Sequence, residues 1–129
     1  MATGFTLGRK ERLQSNQVIQ KLLKNGKTVS AFPLKIYWDI SEDPEQQFPV
    51  RMAVGVPKRR IRKAVVRNLL KRRLRESYRL NKHLLYDPLQ KKGLNVVMII
   101  LFLADESLSF NAMDAKIRDL LRRLANNLP

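Results

Sequence analysis

Between Lys58 and Arg79 the chain carries eleven lysines and arginines against one acid, Glu76. Cations at this density suit one kind of chemistry, the binding of a polyanion through its phosphates. Ala64 to Leu80 reads as a helix. At about 100° per residue, Arg67, Lys71 and Arg75 share a stripe flanked by Asn68, Arg72 and Arg79. Val66, Leu69, Leu70 and Leu74 fall roughly opposite. One side of such a helix can sit in a core while the other offers a row of cations. A merely solvated charged face usually mixes signs, with acids placed to pair at i,i+4. Nucleic acid is therefore the expected partner.

No other constellation competes. The acids Glu11, Asp39, Glu42, Asp43, Glu45, Asp87, Asp105, Glu106, Asp114 and Asp119 form no recognisable carboxylate motif. His83 is the single histidine and reads as a surface residue; without cysteine it makes no zinc site. The five glycines are scattered, so there is no phosphate-cradling loop. The serines have no histidine partner in a suggestive arrangement. If this chain takes part in catalysis, the chemistry belongs to its partner. The charge is also local. Eleven cations less one acid give +10 of the net +15, leaving +5 for the rest of the 129 residues.

The elements that must position these cations follow from pattern. A length of 129 residues suits one domain, 1–129, with residues 1–10 as a loose basic arm in which Phe5 and Leu7 could pack. Ser15 or Asn16 caps a short helix with Val18, Ile19, Leu22 and Leu23 as its apolar stripe, and Asn25-Gly26 supplies a left-handed stop. Leu34, Ile36, Trp38 and Ile40 alternate with Lys35, Tyr37 and Asp39, as in a strand with one core face. Ser41 to Pro49, with two prolines, is expected to be a mobile hairpin connection.

A second alternating strand, Val50 to Val56, leaves Ala53 and Gly55 nearly bare on one face, open to a helix or a ligand backbone. Asp87-Pro88 and Lys92-Gly93 mark a loop. Leu94 to Leu103 reads as a strand covered on both faces, and Ser109 caps a last helix with Met113, Ile117, Leu120, Leu121 and Leu124 inside. The strand-helix-strand stretch from 50 to 103 makes its two strands candidates for parallel neighbours. Trp38 and Phe32 are expected in the core. Tyr37, sharing a face with Lys35, either stacks a single-stranded base or lies against a neighbouring helix. No signal peptide is expected, and the run Val96 to Ala104 is too short to span a bilayer. The expectation is a cytoplasmic protein with no membrane role.

The segment AVVRNLLKRRLRESYR resembles the protein component of bacterial ribonuclease P, whose second helix carries Arg-Asn-Arg, Lys-Arg and Arg-Glu. Arg67-Asn68, Lys71-Arg72 and Arg75-Glu76 match in spacing. Arg51 to Arg59 is similar to the strand that leads into the family's Lys-Lys pair. Arg12-Leu13 and Asn25-Gly26-Lys27 are similar to its first helix and glycine stop. The resemblance runs from about Leu7 to Arg79. The chain departs from the family pattern at Leu69, the third residue of Arg-Asn-Arg. It departs again at Ile19 and Leu23, where two phenylalanines are common, and in a longer, more basic turn at Arg59-Arg60-Ile61.

The resemblance implies an α+β fold, a single-domain α/β sandwich of order α-β-β-β-α-β-α. It would match the second domain of ribosomal protein S5, with a left-handed strand-helix-strand crossover against the general right-handed rule. It also implies two RNA surfaces. Lys58, Arg59, Arg60, Arg67, Asn68, Lys71, Arg72, Arg75 and Arg79 would face the catalytic RNA subunit. A cleft lined by Ile19, Leu23, Lys35 and Tyr37 would hold the 5′ leader of precursor tRNA. The RNA would cut, with magnesium bound mainly by the RNA and none by the protein alone. The alternative is a ribosomal or ribosome-associated RNA-binding protein. A module for acidic peptides or anionic membrane fits less well, since its helix would need a large exposed apolar face.

Overall fold

The computed structural model describes residues 8–129; residues 1–7, with Phe5 and Leu7 of the expected arm, lie outside the described residues. Gly8 to Lys10 are not a loose arm. They enter a short turn, Arg9–Glu11, that ends in a fully buried Glu11. The first helix, α1 (Asn16–Asn25), is capped by Ser15, whose side chain accepts the Val18 N–H. Its stop is not left-handed, because Gly26 sits at φ −68°, ψ 155°. Glycine is needed there for room. Any Cβ would lie 2.6 Å from the Leu22 carbonyl oxygen.

Strands β1 (Lys27–Ala31) and β2 (Leu34–Ile40) pair antiparallel, followed by β3 (Val50–Gly55), α2 (Ala64–Asn81), α3 (His83–Lys92), β4 (Val96–Phe102) and α4 (Phe110–Asn126). The sheet order is β1-β2-β4-β3, with β4 antiparallel to β2 and parallel to β3. The expected parallel neighbours are therefore present. The expected hairpin at 41–49 is not, because β4 lies between the strands which that loop joins. The loop is also pinned. Gln46 Nε2 donates to the carbonyls of Phe48 and Val96, and Asn95 Nδ2 donates to the Gln46 carbonyl.

The loop expected at Asp87-Pro88 is helical. Pro88 sits inside α3, where its missing N–H costs a helix bond; Leu85 and Leu89 on either side are wholly buried and offset that loss. Among the described residues the left-handed stop is Gly93 at φ 65°, closing α3.

One face of the sheet, with Leu34, Ile36, Trp38, Val50, Met52 and Met98, is sealed under α2, α3 and α4 in a single core. Met113, Ile117, Leu120, Leu121 and Leu124 supply the inner side of α4 as expected, under its Ser109 cap. Trp38 is in this core. Phe32 is not. It stands 75% exposed at the β1–β2 turn. On the opposite face a small cluster of Leu13, Leu22, Val97 and Ile99 packs α1 against the strands. No helix among the described residues is long and apolar enough to cross a membrane.

Candidate nucleic-acid interface

The apolar stripe predicts a buried side of α2 on Val66, Leu69, Leu70 and Leu74. The helix is rotated from that. Leu70, Leu74, Ser77, Tyr78 and Asn81 are the buried residues, while Val66 and Leu69 are half-buried and Val65 is exposed. Two polar residues and a tyrosine, invisible to an apolar-stripe argument, turn the helix. Ser77 Oγ and Asn81 Nδ2 donate to Asp114 Oδ1 of α4 at 2.6 and 2.8 Å, which fixes that orientation.

The rotation sorts the cations. Asn68, Arg72 and Arg75 lie fully outward, Arg79 is half-buried, and Arg67 and Lys71 move to the flank of the buried side. Arg67 is turned back on the chain. Its Nη1 donates to the Ile61 and Arg62 carbonyls at 2.9 and 2.7 Å, bracing the turn before a helix whose N-cap, Lys63, makes no side-chain cap bond. Arg73 on the other flank likewise donates to the Leu108 carbonyl at 2.7 Å. Arg79 pairs with Glu76, Nε to Oε1 at 2.6 Å. Lys58 and Arg59 are exposed in the turn after β3, and Arg60 reaches Asp105 at 3.5 Å.

Arg12, not among the cations expected to face RNA, stands beside Arg75. Burial and the Arg12 charge together hold the Arg75 guanidinium below its usual pKa. Both line an open groove of about 650 Å3 over α2, with Arg72, Arg73, Glu76, Arg79 and Phe110. Arg12-Leu13 is visible in the sequence as a motif, but only the fold brings it to the basic helix.

The second surface is the outer face of the sheet. There Lys35, Leu101 and Gly55 align across three strands in one row, and Tyr37, Ile99 and Ala53 in the next. Tyr37, Ala53, Leu101 and Ile19 are half-buried around the small cluster under α1, and Leu23 stands 37% exposed on the same helix. Lys35 Nζ lies 4.9 Å from the Tyr37 ring centre, a cation–π contact. Lys35 and Tyr37 thus share the outer sheet face, and Ile19 packs against the cluster there. The bare strip at Ala53 and Gly55 is used from within. Leu101 leans over Gly55, so that a Cβ there would sit 2.7 Å from Leu101 Cδ2. Leu101 is thus part of this outer face, which the register alone reveals. The Pro57–Arg60 turn continues directly from this row.

A cavity of about 410 Å3 beside α1 is lined by Val18, Leu22, Asp39, Glu42, Asp43 and Arg51. Its carboxylates are already ion-paired: Glu42 to Lys21 at 2.9 Å, Asp39 to Lys27 at 3.0 Å, Asp43 to Arg51 at 3.7 Å. Among the described residues no three His, Cys, Asp or Glu side chains gather where they could hold a metal ion.

The family model for ribonuclease P matches residues 7–125. A ribonuclease P protein component from Porphyromonas gingivalis is 34% identical over 125 residues, spanning 97% of this chain and 90% of its own. One from Chlorobaculum tepidum is 32% identical over 129 residues, 94% and 84% of the two chains. The solved ribonuclease P protein of Thermotoga maritima superimposes with a TM-score of 0.69 at 22% identity, covering 88% of this chain and 96% of that one. The Staphylococcus aureus protein gives 0.67 at 20% identity, covering 88% and 94%. The fold is the S5-like one that the resemblance implied, and the chain belongs to the ribonuclease P protein family.

Proposed function

We propose that this chain is the protein subunit of ribonuclease P, promoting removal of the 5′ leader from precursor tRNA. The outward cations of α2 and the Lys58–Arg60 turn hold the catalytic RNA through its phosphates. The outer sheet face beside α1 holds the single-stranded leader, with Tyr37 offering a ring for a base and Lys35 a charge for the backbone. Magnesium, carried by the RNA, supplies the hydrolytic chemistry; the protein raises substrate affinity and positions the leader.

The observation that carries this reading is the pairing of two unlike surfaces on one small domain. One is a cation-rich helix with one acid. The other is a half-open sheet face where an aromatic ring and a lysine stack on each other. A general RNA binder needs only the first.

Reconstitution tests it. The protein alone should leave precursor tRNA intact, and protein with the RNA subunit should cleave it at the mature 5′ end with a lowered magnesium requirement. Magnesium-dependent cleavage by RNA-free protein, with contaminating nuclease excluded, would overturn it. So would an RNA subunit whose activity the protein does not change.

A further inference from the structure

The Arg12 side chain comes to α2 from outside it, and a buried network sets its position. Glu11, next to it, is 1% exposed and accepts Lys82 Nζ at 2.7 Å across 71 residues of sequence; Lys82 itself is 3% exposed. Tyr86 of α3 donates its hydroxyl to the same carboxylate oxygen, and the Gly8 N–H donates to the other at 2.9 Å. A charge pair sealed this deeply has a large desolvation cost, and breaking one partner leaves the other uncompensated. Few arrangements fix a short chain segment more firmly.

The main chain adds to it. Leu13 N–H donates to the Met52 carbonyl at 2.8 Å, and Arg12 bridges Met52 in parallel at the edge of β3. Arg12 is therefore held between two fixed neighbours, exposed, beside Arg75. Two guanidinium groups held together repel. In the groove they share, the one carboxylate among the described lining residues is Glu76, and it is bound to Arg79. Arg73, which lines the same groove, is turned to the Leu108 carbonyl.

We infer that Arg12 and Arg75 form a two-sided clamp for one phosphate of the RNA backbone. Glu11, Lys82 and Tyr86 are its positioning residues, holding the N-terminal jaw against α2. The inference rests on the reading of the α2 surface as the RNA seat. An oxyanion between the guanidiniums would relieve their repulsion, and each can offer a fork of donors to it.

Affinity for the ribonuclease P RNA subunit, measured across a salt series, tests it with a melting curve for each variant. Arg12→Ala should weaken binding several-fold and lower the slope of log affinity against log salt by about 0.7–0.9, with the melting temperature unchanged. Glu11→Gln should lower the melting temperature and lose most of the same slope. In Arg12→Ala with Glu11→Gln, binding should fall no further than in Arg12→Ala alone, since Glu11 acts through Arg12. Tyr86→Phe, which removes one hydrogen bond and no charge, gives the same comparison if Glu11→Gln does not fold. An unchanged slope in Arg12→Ala, with a reduced one in Arg75→Ala, would overturn the clamp and leave the RNA seat standing. Unchanged slopes in both would overturn the seat itself. Additive binding losses in the double variant would overturn the positioning role.

Discussion

The two faces of one sheet behave oppositely although the same strands build both. The inner face presents Leu34, Ile36, Trp38, Met52 and Met98, each at most 2% exposed, under three helices. The outer face presents Lys35, Tyr37, Ala53, Gly55 and Leu101 and carries one short helix, which covers Val97 and Ile99 and leaves the rest half-open. Alternation along β2 writes both onto seven residues. Most of the buried core thus lies on one side of the sheet, and the other is only partly covered, by α1 over Val97 and Ile99.

The widest separation should come from Trp38→Ala. An aromatic truncation in a sealed core costs about 3–5 kcal/mol, read by chemical denaturation, and RNA binding should fail only as folded protein is lost. Full RNA binding by a variant of unchanged stability would erase the distinction between the faces. Next comes the joint change of Lys71, Arg72 and Arg75 to Ala, which should reduce the salt slope of RNA-subunit binding by about 0.7–0.9 for each phosphate left unneutralised. Its melting temperature should hold, because Leu70 and Leu74 remain.

Tyr37→Ala should weaken leader-bearing precursor tRNA by about 1–3 kcal/mol, the scale of base stacking, and leave leaderless tRNA and thermal stability almost untouched. Equal losses for both RNAs with a large fall in melting temperature would place Tyr37 with the inner face. Arg67→Ala should instead cost stability, about 1 kcal/mol for the missing turn bonds; a change in RNA binding alone would return Arg67 to the RNA surface.

The smallest effect is on pH. Burial pushes the Glu11 carboxyl up, but hydrogen bonds from Lys82, Tyr86 and the Gly8 N–H, with the Lys82 charge, outweigh it and leave the pKa lowered. A lowered acid contributes stability above its unfolded pKa of about 4.3 and loses it as pH falls through the folded value. Stability of the native protein should therefore decline in that acid range, and Glu11→Gln should decline less there, measured by denaturation at stepped pH.

Much of this is legible in the sequence. Period-two alternation assigns Leu34 to Ile40 its two faces, the unbroken run at 94–103 marks β4, and the density of cations marks α2. Patterns of apolar residues cannot report that Ser77, Tyr78 and Asn81 lie inward, since their burial depends on Asp114 and on α3, far along the chain. An apolar stripe alone therefore gives the helix the wrong rotation and gives no sign that Arg67 bonds the Ile61 and Arg62 carbonyls. Pro88 hides α3 because local propensity argues against a helix there, and two buried leucines overrule it. Phe32 misleads in the other direction, as a large aromatic held at a turn outside the core. The partnership of Arg12 with Arg75 and of Leu101 with Gly55 is a matter of register and tertiary neighbours, which spacing does not encode.

The order of the strands has a consequence for how the molecule comes into being. Strand β4 is the last strand to be synthesised, yet it fills the gap between β2 and β3 and hydrogen-bonds both. Until residues 96–102 leave the ribosome, β2 and β3 have no neighbour to join them, and the row Lys35–Leu101–Gly55 does not exist. Pairings this distant in sequence close late and slowly. A chain cut short before β4 thus lacks any sheet spanning β2 and β3, and with it the continuous outer face. The basic helix, being local, could still form and attract RNA. Completion of the fold is what sets a continuous sheet face beside that polycation.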